Sequence, residues 1–217
     1  MTPRSVVRVK VCGIMDAAAA VVAAEAGADA IGLIFAPSRR RVTVERAREI
    51  VAALPPFVAK VGVFVDETYA RITETIEAVG LDTLQLHGSE TPEFVSSLPW
   101  PVVKAIRVRD EDSLAGLAGY QVSAFLLDTY DPEALGGTGR TFDWNLAAGV
   151  AARHRIILSG GLRADNVVEA IERVRPYGVD VSGGVEIGGA KDPEKIRTFV
   201  RIVREWEHTQ HTVGSNR

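Results

Sequence analysis

The tripeptide Ser-Gly-Gly occurs twice in this sequence, and its spacing is the clearest sign of chemistry. One copy spans residues 159–161 after the apolar run RIIL, and the other spans residues 182–184 after VDV. Glycine lets backbone N–H groups approach a phosphate closely. One glycine pair can simply end a strand, but two pairs at equivalent positions of successive strands predict a phosphate-binding site.

Two further residues have types suited to moving protons. Cys12 ends the run VVRVKVC, and Asp128 ends the run AFLLD. A lone cysteine can be a small buried hydrophobe, and an acid after an apolar run can be structural. If both residues end strands of a parallel barrel, however, their positions favour catalysis. Cys12 is also the only cysteine, which excludes an internal disulfide or a cysteine-based zinc site.

Other polar side chains also follow short apolar runs. They are Lys10, Arg39, Arg40, Arg41, Asp66, His87 and Arg107, together with the glycine-rich segment GGTG at 136–139. The three arginines form either a solvated loop or a grip for a substrate carboxylate. His87 is either held by its own loop or in contact with substrate. Asp66 and Arg107 are interpreted as structural.

The elements that position these residues follow from hydrophobic patterning. Strands are predicted at 6–12, 30–35, 59–65, 82–87, 102–106, 124–128, 155–159 and 179–182. Segments of helical period lie between them, one beginning after Thr43 as N-cap and the last after Asp192, with Pro193 at its first position. Eight strand–helix units predict a TIM (β/α)8 barrel as a single domain over residues 1–206. Residues 207–217, including His208 and His211, are expected to form a frayed, solvated tail.

Bulk properties exclude several classes of protein. The 217 residues carry a formal net charge of −3, which gives no general attraction to nucleic acid or to an anionic membrane. No run has the length of a signal peptide core or a membrane span. We therefore expect a soluble cytoplasmic protein that binds a small phosphorylated molecule, with no nucleic-acid or membrane partner.

Taken together, the motifs resemble those of phosphoribosylanthranilate isomerase. They are KVCGI, GLIF, GVFV, QLHGSE, LLDT, GGTGRTFDW, LSGGLRADNV and VDVSGGVE, and they extend from Lys10 to about Phe199. The resemblance implies the Amadori rearrangement of N-(5'-phosphoribosyl)anthranilate to 1-(2-carboxyphenylamino)-1-deoxy-D-ribulose 5-phosphate, the isomerisation step of tryptophan biosynthesis. It also implies general acid–base catalysis without metal or cofactor, with Cys12 as the base and Asp128 as the acid.

The same resemblance implies a set of substrate-binding residues. Arg40 would hold the anthranilate carboxylate if the loop after strand 2 is one residue shorter than usual in the family, with Arg39 and Arg41 as alternatives. The expected phosphate contacts are Gly160, Gly161, Ser182 and Gly183, of which Gly183 stands where many relatives have serine. Asp180 is expected to position the ribose portion, and His87 to contact substrate.

Three other functions compete with this interpretation. A bifunctional barrel isomerase that also acts on a histidine-pathway substrate would resemble its relatives in having aspartate at the position of Cys12. A ligand-binding barrel without activity would not need both Cys12 and Asp128. A metal-dependent epimerase needs several ligands at the strand ends, where only His87 is suitable among the histidines. The sequence leaves open whether the protein is a monomer or a homodimer.

Overall fold

Eight parallel strands form a closed barrel in a computed structural model that describes residues 6–129 and 141–214, with side chains to residue 210. The strands pair in chain order, and the last pairs with the first. They are β1 (Arg8–Cys12), β2 (Ala30–Ile34), β3 (Ala59–Phe64), β4 (Thr83–Leu86), β5 (Val102–Val108), β6 (Ala124–Thr129), β7 (Ile156–Leu158) and β8 (Gly178–Val181). The predicted TIM barrel is confirmed.

Helices cover the outside of the barrel. They are α1 (Ala17–Glu25), α2 (Val44–Ala52), α3 (Tyr69–Val79), α4 (Pro92–Ser97), α5 (Trp144–Ala151), α6 (Val167–Val174) and α7 (Pro193–Gly214). A short hairpin of β9 (Glu186–Ile187) and β10 (Ala190–Lys191) precedes α7. None of the helices in the described part of the chain is long and apolar enough to cross a membrane.

Two helix starts follow the capping chemistry predicted from the sequence. The Thr43 hydroxyl accepts a hydrogen bond from the Arg46 backbone N–H at 3.2 Å. The Asp192 carboxylate accepts one from the Lys195 backbone N–H at 2.8 Å. Each cap satisfies a donor that the first helical turn leaves without a partner.

The fifth unit differs from the predicted strand–helix repeat. Two 3-10 turns, Asp112–Leu114 and Leu117–Gly119, follow β5 in place of an α-helix. Gly116 lies between the turns, and Gly119 ends the second, so this segment has low helix propensity. Its buried residues Leu114 and Leu117 end the first turn and begin the second.

The predicted tail is wrong over most of its length, because α7 continues to Gly214. Glu207 accepts a hydrogen bond from the Val7 backbone N–H at 2.6 Å and pairs with Arg204 at 3.0 Å. Arg204 also reaches Asp29 at 2.7 Å. These contacts fasten the helix to the start of β1 beyond residue 206, where the tail was expected to begin. Residues 215–217 lie outside the described residues.

Apolar packing among the described residues is divided between two clusters. The larger one joins the strands to the helices and includes Phe64, Phe199 and Val203. The smaller one draws alternate residues from β5 and β6 with Ile157 packed against them, and it includes Ala105 and Leu126. Side chains alternate between the two sides of a strand, so the smaller cluster fills part of the barrel interior.

A buried cation holds two loops at the carboxyl-terminal rim of the barrel. The Lys104 ammonium lies 2.8 Å from the Gly88 carbonyl oxygen and 3.1 Å from the Glu90 carboxylate. Glu90 in turn accepts hydrogen bonds from the backbone N–H groups of Asp66 and Gly88, at 2.9 and 3.1 Å. The ion pair of Lys104 and Glu90 therefore links the loops after β3 and β4.

We expect Lys104→Met to lower the free energy of unfolding by about 3–5 kcal/mol, because it leaves the Glu90 carboxylate buried without its cation. Urea titration measures this change. Lys60→Met is the matched control, since Lys60 and Asp82 are paired near the surface, and it should cost less than about 1 kcal/mol. Equal losses in the two variants would contradict the role given to Lys104.

Candidate active site

A cavity of about 810 Å³ opens at the carboxyl ends of the strands. All nine residues predicted for catalysis or substrate binding line it: Cys12, Arg40, His87, Asp128, Gly160, Gly161, Asp180, Ser182 and Gly183. Asp66 and Arg107 are not among the described lining residues. The predicted glycine-rich segment 136–139 lies outside the described residues.

Cys12 is the last residue of β1 and is 6% exposed. Its Sγ fills space that Gly32 leaves open on β2, where a Cβ would lie 2.6 Å from the sulfur. Burial raises the pKa of the Cys12 thiol above its ordinary value, and the positive charge of Lys10 offsets part of that effect. Any thiolate at this position therefore depends on nearby cations.

Lys10 and Asp180 form a buried ion pair across the junction of β1 and β8. The Lys10 ammonium lies 2.8 Å from Asp180 Oδ1, and the Ser159 hydroxyl donates to Oδ2 at 3.2 Å. Burial opposes the charge on Lys10, but attraction to Asp180 and Cys12 outweighs it and raises the pKa of Lys10. The carboxylate expected to position the ribose portion is thus already bonded through both oxygens.

Asp128 and His87 lie side by side in the wall of the cavity. The Asp128 Oδ2 atom lies 3.5 Å from His87 Nε2, and Oδ1 accepts a hydrogen bond from the Thr129 backbone N–H at 2.8 Å. The Gln85 side-chain amide donates to His87 Nδ1 at 3.0 Å. His87 Nε2, on the side of Asp128, makes no hydrogen bond with the described residues.

The two Ser-Gly-Gly loops lie side by side. Gly160 has φ +83°, and a Cβ on it would lie 2.6 Å from the Thr129 backbone nitrogen. A Cβ on Gly184 would collide with the Leu162 carbonyl oxygen of the neighbouring loop. A side chain is therefore excluded at each of these two glycines, and the backbone there can approach a ligand closely.

The cationic side of the cavity is organised by Glu186. Arg40 donates from Nε and Nη2 to its two carboxylate oxygens at 2.6 and 2.9 Å, and Arg39 donates to it at 3.0 Å. The Lys191 ammonium lies 2.6 Å from the same carboxylate. Burial acts against the charge on Glu186, but hydrogen bonds from Arg40 and Lys191 outweigh it and lower its pKa. With one carboxylate among three cations, the cluster keeps excess positive charge.

Burial distinguishes the three arginines that the sequence left as alternatives. Arg40 is 6% exposed and lines the cavity, whereas Arg41 is exposed. The Arg39 side chain is 60% exposed, although this residue also lines the cavity. Arg40 is thus the arginine held inside the site.

Sequence reasoning gave no role to Glu186 or Lys191. Glu186 closes the quoted motif VDVSGGVE, which was the available signal. Lys191 had no comparable signal, since the hairpin of β9 and β10 brings it to Glu186 and to the Ser182 carbonyl oxygen at 3.1 Å. The described residues contain no group of three or more His, Cys, Asp or Glu side chains that could hold a metal ion.

Comparisons with known proteins identify the family of this chain. The chain is 54% identical over 201 residues to the N-(5'-phosphoribosyl)anthranilate isomerase of Pelobacter propionicus, covering 92% of this chain and 96% of the relative. A solved structure of monomers generated from the dimeric enzyme of Thermotoga maritima has a TM-score of 0.83 at 39% identity, covering 92% of this chain and 99% of that one.

A second solved structure, of a phosphoribosylanthranilate isomerase with reduced 1-(o-carboxyphenylamino)-1-deoxyribulose 5-phosphate, also has a TM-score of 0.83. Its identity is 40%, and the match covers 92% of this chain and 99% of that one. The family model for N-(5'-phosphoribosyl)anthranilate isomerase matches residues 9–202. The chain therefore belongs to the N-(5'-phosphoribosyl)anthranilate isomerase family.

Proposed function

We propose that this protein converts N-(5'-phosphoribosyl)anthranilate to 1-(2-carboxyphenylamino)-1-deoxy-D-ribulose 5-phosphate in tryptophan biosynthesis. Family membership supports the reaction, and the bound compound in the related structure has the matching carbon skeleton. One observation carries the proposal for this chain: Cys12, Asp128, Arg40 and the two Ser-Gly-Gly loops all line a single cavity.

The acid and the base take separate steps. Asp128 donates a proton to the furanose ring oxygen, which opens the ring to a Schiff base. The Cys12 thiolate then removes the proton from C2, and the resulting enolamine tautomerises to the ketose. His87 Nε2 faces the Asp128 carboxylate, so it is placed to hold that carboxylate beside the substrate. His87 is also proposed to contact the substrate beside Asp128.

Opposite ends of the substrate meet opposite sides of the cavity. We assign the phosphate to backbone groups of Gly160, Gly161 and Gly183 and to Ser182, whose hydroxyl donates to the Cys12 carbonyl oxygen at 3.0 Å in this structure. Arg40 takes the anthranilate carboxylate, which would share the guanidinium with Glu186.

Asp180 borders the ribose portion between the two ends, as a lining residue of the cavity whose carboxylate is bonded to Lys10 and Ser159. A thiol that acts as base must stay reduced, which favours a cytoplasmic location.

Cys12→Ser and Asp128→Asn should each lower kcat/KM by about 10²–10⁴-fold, the usual contribution of a positioned acid or base. Loss of anthranilate fluorescence from freshly generated substrate, without added metal, measures the rate. Asp112→Asn, in an exposed turn, is the control and should retain full activity. Wild-type activity in either folded site variant would refute that residue's role. An inactive wild type that still binds a product analogue would favour a ligand-binding barrel.

Arg40→Met should raise KM about tenfold or more, because a hydrogen bond to a charged group contributes roughly 1.5–3 kcal/mol. Inhibition by inorganic phosphate should stay unchanged, since that anion needs only the glycine loops. Steady-state kinetics with phosphate as competitor separates the two effects. Arg41→Met, at an exposed position, serves as the control. A parallel loss of phosphate inhibition in Arg40→Met would count against the assignment of its guanidinium to the carboxylate.

We further propose that the protein is a homodimer, as the related Thermotoga maritima enzyme is described. Phe57 is fully exposed and has φ +70° in the loop between α2 and β3, at the face opposite the cavity. A non-glycine residue in this conformation costs about 1–3 kcal/mol, and burial of its ring against a second copy would offset that cost.

Phe57→Ser should therefore shift the protein from dimer to monomer, measured by light scattering during size exclusion, while kcat remains within about twofold of wild type because the loop lies far from the chemistry. Tyr177→Ser, which changes another exposed aromatic residue, is the comparison. A monomeric wild type, or a dimeric Phe57→Ser variant, would exclude Phe57 as the anchor.

A further inference from the structure

The side chains of Lys10 and Cys12 lie next to each other inside the barrel. Residues two apart on a strand project to the same side, and both side chains lean over Gly32 of β2. A Cβ on Gly32 would lie 2.6 Å from Cys12 Sγ and 3.2 Å from Lys10 Cε. Because Gly32 has no side chain, the methylene groups of Lys10 and the Cys12 sulfur share the space that a side chain at Gly32 would occupy.

Three charged groups on the elements around Cys12 act on its sulfur: Lys10 on β1, Asp180 on β8 and Lys191 on β10. Lys10 and Lys191 favour a thiolate, whereas Asp180 and burial disfavour it. Lys191 is committed elsewhere, since it lies 2.6 Å from Glu186 and 3.1 Å from the Ser182 carbonyl oxygen. Lys10 is the larger of the two cationic influences on Cys12.

We infer that Lys10 is a positioning residue that acts through Cys12: its ammonium, fixed by Asp180, stabilises the Cys12 thiolate in the cavity. The inference rests on the proposed function, in which that thiolate removes the substrate's C2 proton. It also gives the buried pair of Lys10 and Asp180 a role, because a buried ion pair contributes little net stability once desolvation is counted.

Asp180 has two opposing effects in this arrangement. It holds the lysine ammonium at 2.8 Å, which keeps Lys10 charged beside the sulfur. Its own negative charge acts against the thiolate. The Ser159 hydroxyl donates a hydrogen bond to its other oxygen and so partly neutralises that charge. Removing Lys10 and removing Asp180 should therefore move the thiol in opposite directions.

Because the chain has a single cysteine, the thiolate can be measured without substrate. The probes are the iodoacetamide alkylation rate as a function of pH and the ultraviolet absorbance of the thiolate. In Lys10→Met, alkylation at neutral pH should slow about tenfold or more, since an opposite charge within ~4–6 Å shifts a pKa by about 1–3. In Asp180→Asn, the midpoint of the thiol titration should move to lower pH. Lys60→Met, whose lysine pairs with Asp82 on the outside of the barrel, should match wild type.

Lys10→Met leaves Asp180 buried without a cation, so the double variant Lys10→Met/Asp180→Asn provides a test that retains no isolated buried charge. Its thiol should titrate at higher pH than that of Asp180→Asn alone. The inference would be overturned if the thiol of the double variant and that of Asp180→Asn had the same titration midpoint. It would also be overturned if both single variants shifted the midpoint in the same direction, which is the result expected from a general loosening of the structure. Full activity in Cys12→Ser would instead refute the proposed base, whatever the titrations show.

Discussion

The junction where β8 pairs with β1 is the contact on which the site depends. Its register places Lys10 directly beside Asp180 and Val11 beside Val181. The same junction brings the Ser182 hydroxyl to the Cys12 carbonyl oxygen at 3.0 Å. A shift by one residue would turn every side chain of a strand to its other face, so the proposed base, its neighbouring cation and one proposed phosphate loop are positioned together.

Around this junction the barrel interior is divided by polarity. On the side of β5 and β6, residues such as Ala105 and Leu126 pack as an apolar cluster. On the other side lie the Lys10–Asp180 pair and Ser159. The apolar part fills one side of the barrel, and the polar part places charge on buried side chains. In such surroundings an electrostatic interaction is stronger than it would be in water.

The strand ends were predictable from sequence, because β-branched runs mark parallel strands and the fold places their carboxyl ends at one rim. For this reason Cys12 and Asp128 could be selected before any contact was known. The contacts among the site residues could not be predicted in this way. Arg40 meets a carboxylate 146 residues further along the chain, and only the fold of the hairpin β9–β10 determines that Glu186 lies there. The continuation of α7 past residue 206 was also not predicted, since the contacts found there, such as the hydrogen bond from the Val7 backbone N–H to Glu207, join residues 200 positions apart in the chain.

Closure of the barrel also has a consequence in time. Lys10 and Asp180 are separated by 170 residues, and synthesis proceeds at about 5–20 residues per second. During translation β8 is therefore synthesised roughly 10–30 s after β1. Throughout that interval β1 is the open edge of an incomplete sheet, with a charged lysine whose partner has not yet been made. A lysine on an open edge discourages pairing with other chains. Lys10, which faces the thiol in the folded barrel, therefore also disfavours association of the unfinished chain with other chains.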